Sequence, residues 1–319
     1  MPAAPSLAFR VIDLVLALFV LPAAALLKLV RRIGVKRLPV CRSIFFGVGV
    51  FPIRDHYYEP QFDNRNMRRP PSQDRPLPGV DWNEAGQLSF LDKLTYADEL
   101  RALPRQRDAS GGFHLDNGAF ESGDAEYLYQ VIRATKPRRI FEIGSGHSTL
   151  IAKMALDRNR ADDPGYGCRH VCIEPYEMPW LEGAGVEVMR QKAEDVDLAF
   201  FAELDTDDLL FIDSSHMIRP GGDVLFEYLE LLPTIRPGVL VHIHDIFSPK
   251  DYLRAWLVDE VRLWNEQYLL EAFLTENDKW EVLGAVNYLQ HHHHDRLRAV
   301  APFLTPDREP GSFYIRKVG

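Results

Sequence analysis

Arg139-Ile-Phe-Glu-Ile-Gly-Ser-Gly-His-Ser-Thr-Leu-Ile-Ala152 is the stretch whose reading decides the fold. The apolar run from Ile140 to Ile143, with Glu142 near its end, predicts a buried strand. It breaks at Gly144-Ser145-Gly146 and resumes as a helix whose first turn carries Ser148 and Thr149. Glycines at a strand-to-helix turn let a ligand approach backbone N–H groups, because no Cβ intervenes. Such a loop suits a nucleotide-type cofactor, although a Gly-Ser-Gly turn by itself is more often only a turn.

A dinucleotide fingerprint places a third glycine three residues after the second, as GxGxxG. Thr149 stands there instead. The pattern Glu142-x-Gly144-x-Gly146-x-Ser148 resembles the first motif of the class I S-adenosylmethionine (SAM)-dependent methyltransferases, with serine in the last glycine's place. That resemblance implies that Glu142 and Gly144 lie near the cofactor's amino-acid part and sulfur. It assigns Ser145, Gly146 and Ser148 to the same loop.

The segments that follow come in the order this fold requires. His170 to Ile173 predicts a second strand ending in Glu174, where an acid can accept hydrogen bonds from both ribose hydroxyls. Val186 to Met189 predicts a short third strand. It runs into Gln191-Lys-Ala-Glu-Asp195, where Glu194 or Asp195 matches the family's adenine-contacting position. Any one of these acids alone would read as a solvated loop residue.

Two further apolar strands end in polar clusters, Asp208 to His216 and Arg236 to Pro249. Ligands of open α/β sheets bind at that carboxyl edge. The first strand delivers Asp213 and His216, and the second delivers His242, His244 and Asp245. Acids and imidazoles from neighbouring strand ends have the look of a metal site. The arrangement also resembles the layout of catechol-type O-methyltransferases. Carried over residue by residue, that layout implies Asp213, His244 and Asp245 as metal ligands and His216 as general base. His216 stands where that group has lysine, and His244-Asp245 where it has Asp-Asn. Oxygen-only sites suit Mg²⁺, while imidazole shifts the preference toward metals such as Mn²⁺. The plainer reading of His216 is a turn-capping residue, and His242, deeper in its strand, reads as a hydrogen-bonded core histidine.

The phrases Phe211 to His216, Gly238 to Phe247 and Trp264 to Leu270 resemble those of a bacterial group of SAM-dependent methyltransferases. That group implies a reaction type, SN2 methyl transfer to oxygen, rather than a substrate. The expected fold is α/β: a Rossmann-like seven-stranded, mostly parallel sheet with a C-terminal antiparallel strand, preceded by an N-terminal membrane-associated helix. Trp280–Ala285 and Ser312–Lys317 supply the closing hairpin. Leu88–Leu103, Asp124–Thr135 and Tyr252–Phe273 show helical periodicity. His291 to His294 reads as a solvated helix start rather than a metal cluster.

The N-terminal region carries a second message. Val11 to Leu27 is apolar apart from Asp13, Pro22 interrupts it, and Lys28, Arg31, Arg32, Lys36 and Arg37 follow. The charge lies after the apolar run, unlike a secretory signal. By the positive-inside rule it keeps the remainder cytoplasmic, at a bacterial inner membrane. A spanning helix, a helix lying on the inner leaflet and a packed helix of a soluble protein all fit the run. The expected organisation is an anchor over 1–37, a Pro/Arg/aromatic-rich segment with a helix over 38–115, and the catalytic domain over 116–319. Tyr57, Tyr58 and the region around Trp264 are candidates for the acceptor pocket.

The chain has 319 residues, 46% of them hydrophobic, and a formal net charge of −9. That is enough for a large core, and without a sustained basic stripe it argues against a nucleic-acid substrate. Cys41, Cys168 and Cys172 form no metal spacing. The expectation is SAM-dependent O-methylation of a small-molecule or glycan/lipid-linked hydroxyl, with Mg²⁺ or Mn²⁺ assistance. A nicotinamide-dependent oxidoreductase and a non-catalytic membrane scaffold are the competing classes. No residue pattern fixes an oligomeric state.

Overall fold

The computed structural model describes residues 6–62, 67–107, 111–176 and 178–319. They fall into two units, Met1–Arg68 and Arg69–Gly319.

The larger unit holds a seven-stranded sheet: β1 Arg139–Ile143, β2 Arg169–Ile173, β3 Glu187–Met189, β4 Leu209–Ile212, β5 Leu240–Ile243, β6 Trp280–Ala285 and β7 Phe313–Lys317. Its order is β3-β2-β1-β4-β5-β7-β6. The first five strands pair in parallel, and β7 runs antiparallel between β5 and β6. The order reverses between β1 and β4, so a crevice opens above their carboxyl ends.

Both faces of the central strands are covered, which is why they read as near-continuous apolar runs. Ile140, Leu209, Phe211 and Leu240 face one core, with helix Asp124–Thr135 packed on it. Phe141, Ile143, Leu210, Ile212, Val241 and Ile243 face the other. Period-2 alternation puts Glu142, Cys172 and His242 on the first face, in register with Phe211. His242 is a core histidine: Nε2 lies 2.8 Å from Ser312 Oγ, and the ring stacks on Tyr314 at 4.2 Å. Burial pushes its pKa well below the ordinary value, so it is neutral.

Helix Asp124–Thr135 matches its expected limits. The helix expected over Leu88–Leu103 is instead two pieces, Glu84–Leu91 and Ala97–Leu100. Between them the Tyr96 amide donates to Gln130 Oε1 at 2.8 Å, so a side chain from a neighbouring helix takes the bond a continuous helix needs. Tyr252–Phe273 resolves into a π-helical turn, Ala255–Asp259, and a helix, Glu266–Leu274. His291 and His292 end helix Val286–His292, and His294 opens the next. His291, His292 and His293 pair with Glu309, Asp74 and Glu84 respectively, as separate surface contacts.

In the smaller unit, helix Leu7–Ile33 is long and apolar enough to cross a membrane. None of its residues is buried. Its 27 residues extend about 40 Å at 1.5 Å per residue. A second apolar helix, Pro39–Val48, follows.

Candidate active site

Gly144 sets the geometry of the carboxyl edge. Its φ is +80°, and a Cβ there would sit 2.0 Å from the Asp213 carbonyl oxygen. Only glycine lets the loop after β1 press against the end of β4, whose Asp213 amide donates to Ile143 O at 2.8 Å. Beside this contact a cleft of about 600 Å³ runs along the ends of β1, β2, β3 and β4. Gly144, Ser145, Glu174, Glu194 and Asp213, five of the residues expected at the cofactor, line it. Tyr176, Lys192, Arg219 and Asp223 complete the wall and were not foreseen.

The other predicted cofactor residues lie elsewhere. Glu142 is buried beneath the loop, where its Oε2 accepts from Thr149 Oγ1 at 2.7 Å and lies 2.9 Å from His170 Nε2 and 3.3 Å from Cys172 Sγ. Thr149 Oγ1 also accepts from the Gly146 amide at 3.2 Å. Glu142 therefore braces the turn from below, and Ser148 is buried in the same first helical turn. Neither residue lines the cleft, nor does Gly146. Of the two alternatives after β3, Glu194 lines the cleft, while Asp195 is exposed outside it. The Glu174 carboxylate is oriented by the Tyr176 amide, which donates to Oε1 at 3.1 Å.

The second part of the site gathers at the ends of β4 and β5. His216 Nε2 lies 3.3 Å from Asp213 Oδ1 and 3.5 Å from Asp245 Oδ2. His244 Nδ1 lies 3.5 Å from Asp213 Oδ1 and 3.6 Å from Asp245 Oδ1. His216 and Asp245 both take left-handed backbone, φ +57° and +60°, which turns their side chains back over the strand ends. Behind them stand groups the sequence reading missed. His216 Nδ1 is 2.8 Å from Glu266 Oε2, and Tyr228 Oη donates to Glu266 Oε1 at 3.0 Å. Asp124 accepts from the Gly311 and Ser312 amides and reaches His244 Nε2 at 3.8 Å. The signal for Glu266 was present in the Trp-Asn-Glu phrase, but its partner is 50 residues away.

These charges depend on one another. Burial opposes a charge on His216, yet Asp213 and Glu266 outweigh it and lift its pKa well above the ordinary value. Burial likewise opposes the charge on His244, and Asp245 and Asp213 overcome it. Burial also opposes ionisation of Asp213, but the two imidazoles hold its carboxyl well below the usual range. Burial raises Asp245 instead. Neighbouring Glu227, buried near Glu266 and Asp223, is pushed well up and accepts from Ser214 Oγ at 3.1 Å. On the open side Trp264 sits 4.3 Å from the His216 ring, and Arg262 is held between Trp256 and Trp264 at 4.4 Å from each.

The donor set fits a divalent ion. The ligating atoms of Asp213, His216 and Asp245 lie within 4.8 Å of one another. Ligands about 2.0–2.2 Å from a shared ion stand roughly 3–3.5 Å apart, close to the spacings found here. A carboxylate on the far nitrogen of a ligating histidine is the usual outer support of such a site, and Glu266 occupies that position. Glu142, His170 and Cys172 form a second close group, fully buried and joined by its own hydrogen bonds.

Residues 141–246 match a family model described as a methyltransferase domain. An uncharacterized protein of Archaeoglobus fulgidus is 30% identical over 169 residues, which are 49% of this chain and 74% of that protein. Among solved structures, the plantazolicin methyltransferase BpumL bound to SAH is similar at 11% identity and a TM-score of 0.36, covering 74% of this chain and 99% of that one. The mycinamycin-pathway methyltransferase MycE, bound to Mg and SAH, is similar at 13% identity and 0.32, covering 71% and 54%. Likenesses this loose carry no inference about residues. The chain belongs to the same family as the archaeal protein.

Proposed function

We propose that this methyltransferase transfers the methyl group of SAM to a hydroxyl oxygen, with a divalent metal at the strand ends, on an acceptor reached at a membrane surface. The observation that carries the reading is the cleft beside the acid–imidazole cluster, with Asp213 belonging to both. Ser145 Oγ is buried at the cleft wall with no oxygen or nitrogen partner among the described residues, a polar atom suited to meet the cofactor's amino-acid end. Glu174 serves the ribose hydroxyls and Glu194 the adenine edge. Both fit a nucleoside carried on a strand-to-helix glycine loop.

Asp213, His216 and Asp245 would hold Mn²⁺ or Mg²⁺, with His244 beside them as a further donor. The bound ion would lower the pKa of the acceptor hydroxyl and orient it. Glu266 holds the His216 Nδ1 proton and aims Nε2 at the two aspartates. A free general base at His216 needs a ring that has lost its proton, and its carboxylate neighbours work against that. Burial raises Asp245 while the imidazoles keep Asp213 ionised; an ion held by both carboxylates would keep both ionised. The in-line approach needed for displacement follows from a cofactor lying along β1–β3 and an acceptor over β4–β5.

The exposed apolar helix Leu7–Ile33, with Arg31 and Arg32 in its last turn, supports attachment to the inner leaflet with the catalytic unit cytoplasmic. That attachment is the ground for favouring a glycan- or lipid-linked acceptor over a freely soluble one. Ultraviolet crosslinking of radiolabelled SAM to the full chain tests the cofactor. Competition by S-adenosylhomocysteine but not by NAD⁺ or NADP⁺ is expected, and competition by a nicotinamide dinucleotide would overturn the reading.

A further inference from the structure

The smaller unit contains a cavity of its own, about 550 Å³, where helix Leu7–Ile33 ends. Ala24, Leu27, Lys28 and Arg31 recur at helical spacing along one stripe of its wall, which passes from apolar to basic as the helix runs out. Arg32 and Arg54 add two more cations, and Asp55 is the one acid in the lining. Glu59 pairs with Arg31 and lies 3.5 Å from Arg54 Nε. The Arg31 guanidinium also rests on the Phe51 ring at 4.8 Å. Lys28 and Arg32 have no ion-pair partner among the described residues. The Arg31 Nε donor is buried without a hydrogen-bond acceptor among the described residues. Among the described residues, the lining therefore carries four cations and one acid.

We propose that this pocket binds the phosphate of an anionic phospholipid, whose acyl chains lie along the apolar surface of the helix. Three features favour a lipid over a soluble anion. The cations sit at the end of a helix whose apolar side chains are all open, from Leu7 to Leu26. The stripe that enters the pocket is apolar one turn earlier, as a two-part ligand requires. Cationic pockets at the cytoplasmic end of apolar helices are suited to anionic headgroups. The proposal rests on the membrane attachment argued above.

The test uses the full chain reconstituted with phosphatidylcholine and phosphatidylglycerol, released into detergent and weighed by native mass spectrometry. The wild type is expected to retain phosphatidylglycerol in preference to phosphatidylcholine. Lys28→Gln/Arg32→Gln/Arg54→Gln is expected to reduce that preference by about tenfold or more. Lys36→Gln/Arg37→Gln/Arg42→Gln removes equal charge outside the pocket and is expected to change it by less than about threefold. Asp55→Asn, which removes the pocket's own acid, is expected to strengthen retention. This gain cannot arise from misfolding. Equal losses in the two triple variants would mean a diffuse basic surface and overturn the proposal. Displacement of the lipid by millimolar inorganic phosphate would overturn it too, as a free-anion site. Flotation with vesicles of both compositions but no lipid preference would remove the pocket and leave the attachment. Failure to float with either would remove the attachment itself.

Discussion

Along one edge of a single sheet, β1–β3 present backbone and the acids Glu174 and Glu194 to the cleft, while β4–β5 present two buried imidazoles packed against two partly exposed aspartates. Gly144, Ser145, Glu174 and Glu194 line the cleft, and the Glu174 carboxylate accepts from the Tyr176 amide. His216 and His244, at 4% and 5% exposure, touch the same two aspartates and are backed by Glu266 and Asp124. On the first side, losing one acid is expected to weaken ligand binding and change little else. On the second, losing one group strands the others, because a buried charge without its partner is costly. The contrast separates residues proposed to recognise a cofactor from residues proposed to act as one assembled group.

Gly144 joins the two sides, and changing it should break the comparison outright. Gly144→Ala places a Cβ 2.0 Å from the Asp213 carbonyl in a left-handed conformation. A loss of more than about 3 kcal/mol of stability is expected, read by denaturant unfolding. Asp213→Ala is expected to abolish Mn²⁺ binding measured by electron paramagnetic resonance, since Asp213 touches both imidazoles. Glu266→Gln tests whether the cluster acts as a unit. It leaves every candidate ligand in place but weakens the hold on His216, so Mn²⁺ affinity should fall about 10–100-fold. An unchanged affinity would mean that Glu266 is only a packing residue. Asp195→Ala should do least. The residue is exposed and outside the cleft, so a change of no more than about 0.5 kcal/mol in stability or SAM binding is expected.

The same contrast explains what could be read from the chain. The parallel strands were legible because both their faces are buried and their apolar runs are unbroken. Glu174 and Glu194 were legible because a strand end fixes their position within one or two residues. Glu142 was assigned to the cofactor by its place in the motif. Its side chain turns beneath the loop instead, since alternation along β1 puts it on the face of His170 and Cys172. Glu266 and Asp124 could not be assigned, because they reach the cluster from helices distant in sequence. Strand spacing says nothing of such partners. The break in the expected helix at Tyr96 has the same origin, a side chain from elsewhere taking a backbone bond.

The central claim is that the β1–β3 edge binds SAM. Isothermal titration of SAM and of NAD⁺ into the full chain, with Mn²⁺ present, tests it most directly. Saturable heat with SAM only is expected, with an affinity about 10–100-fold weaker in Glu174→Ala, the loss of hydrogen bonds to a charged group. No heat with SAM from a folded protein, or equal SAM affinity in Glu174→Ala, would contradict it.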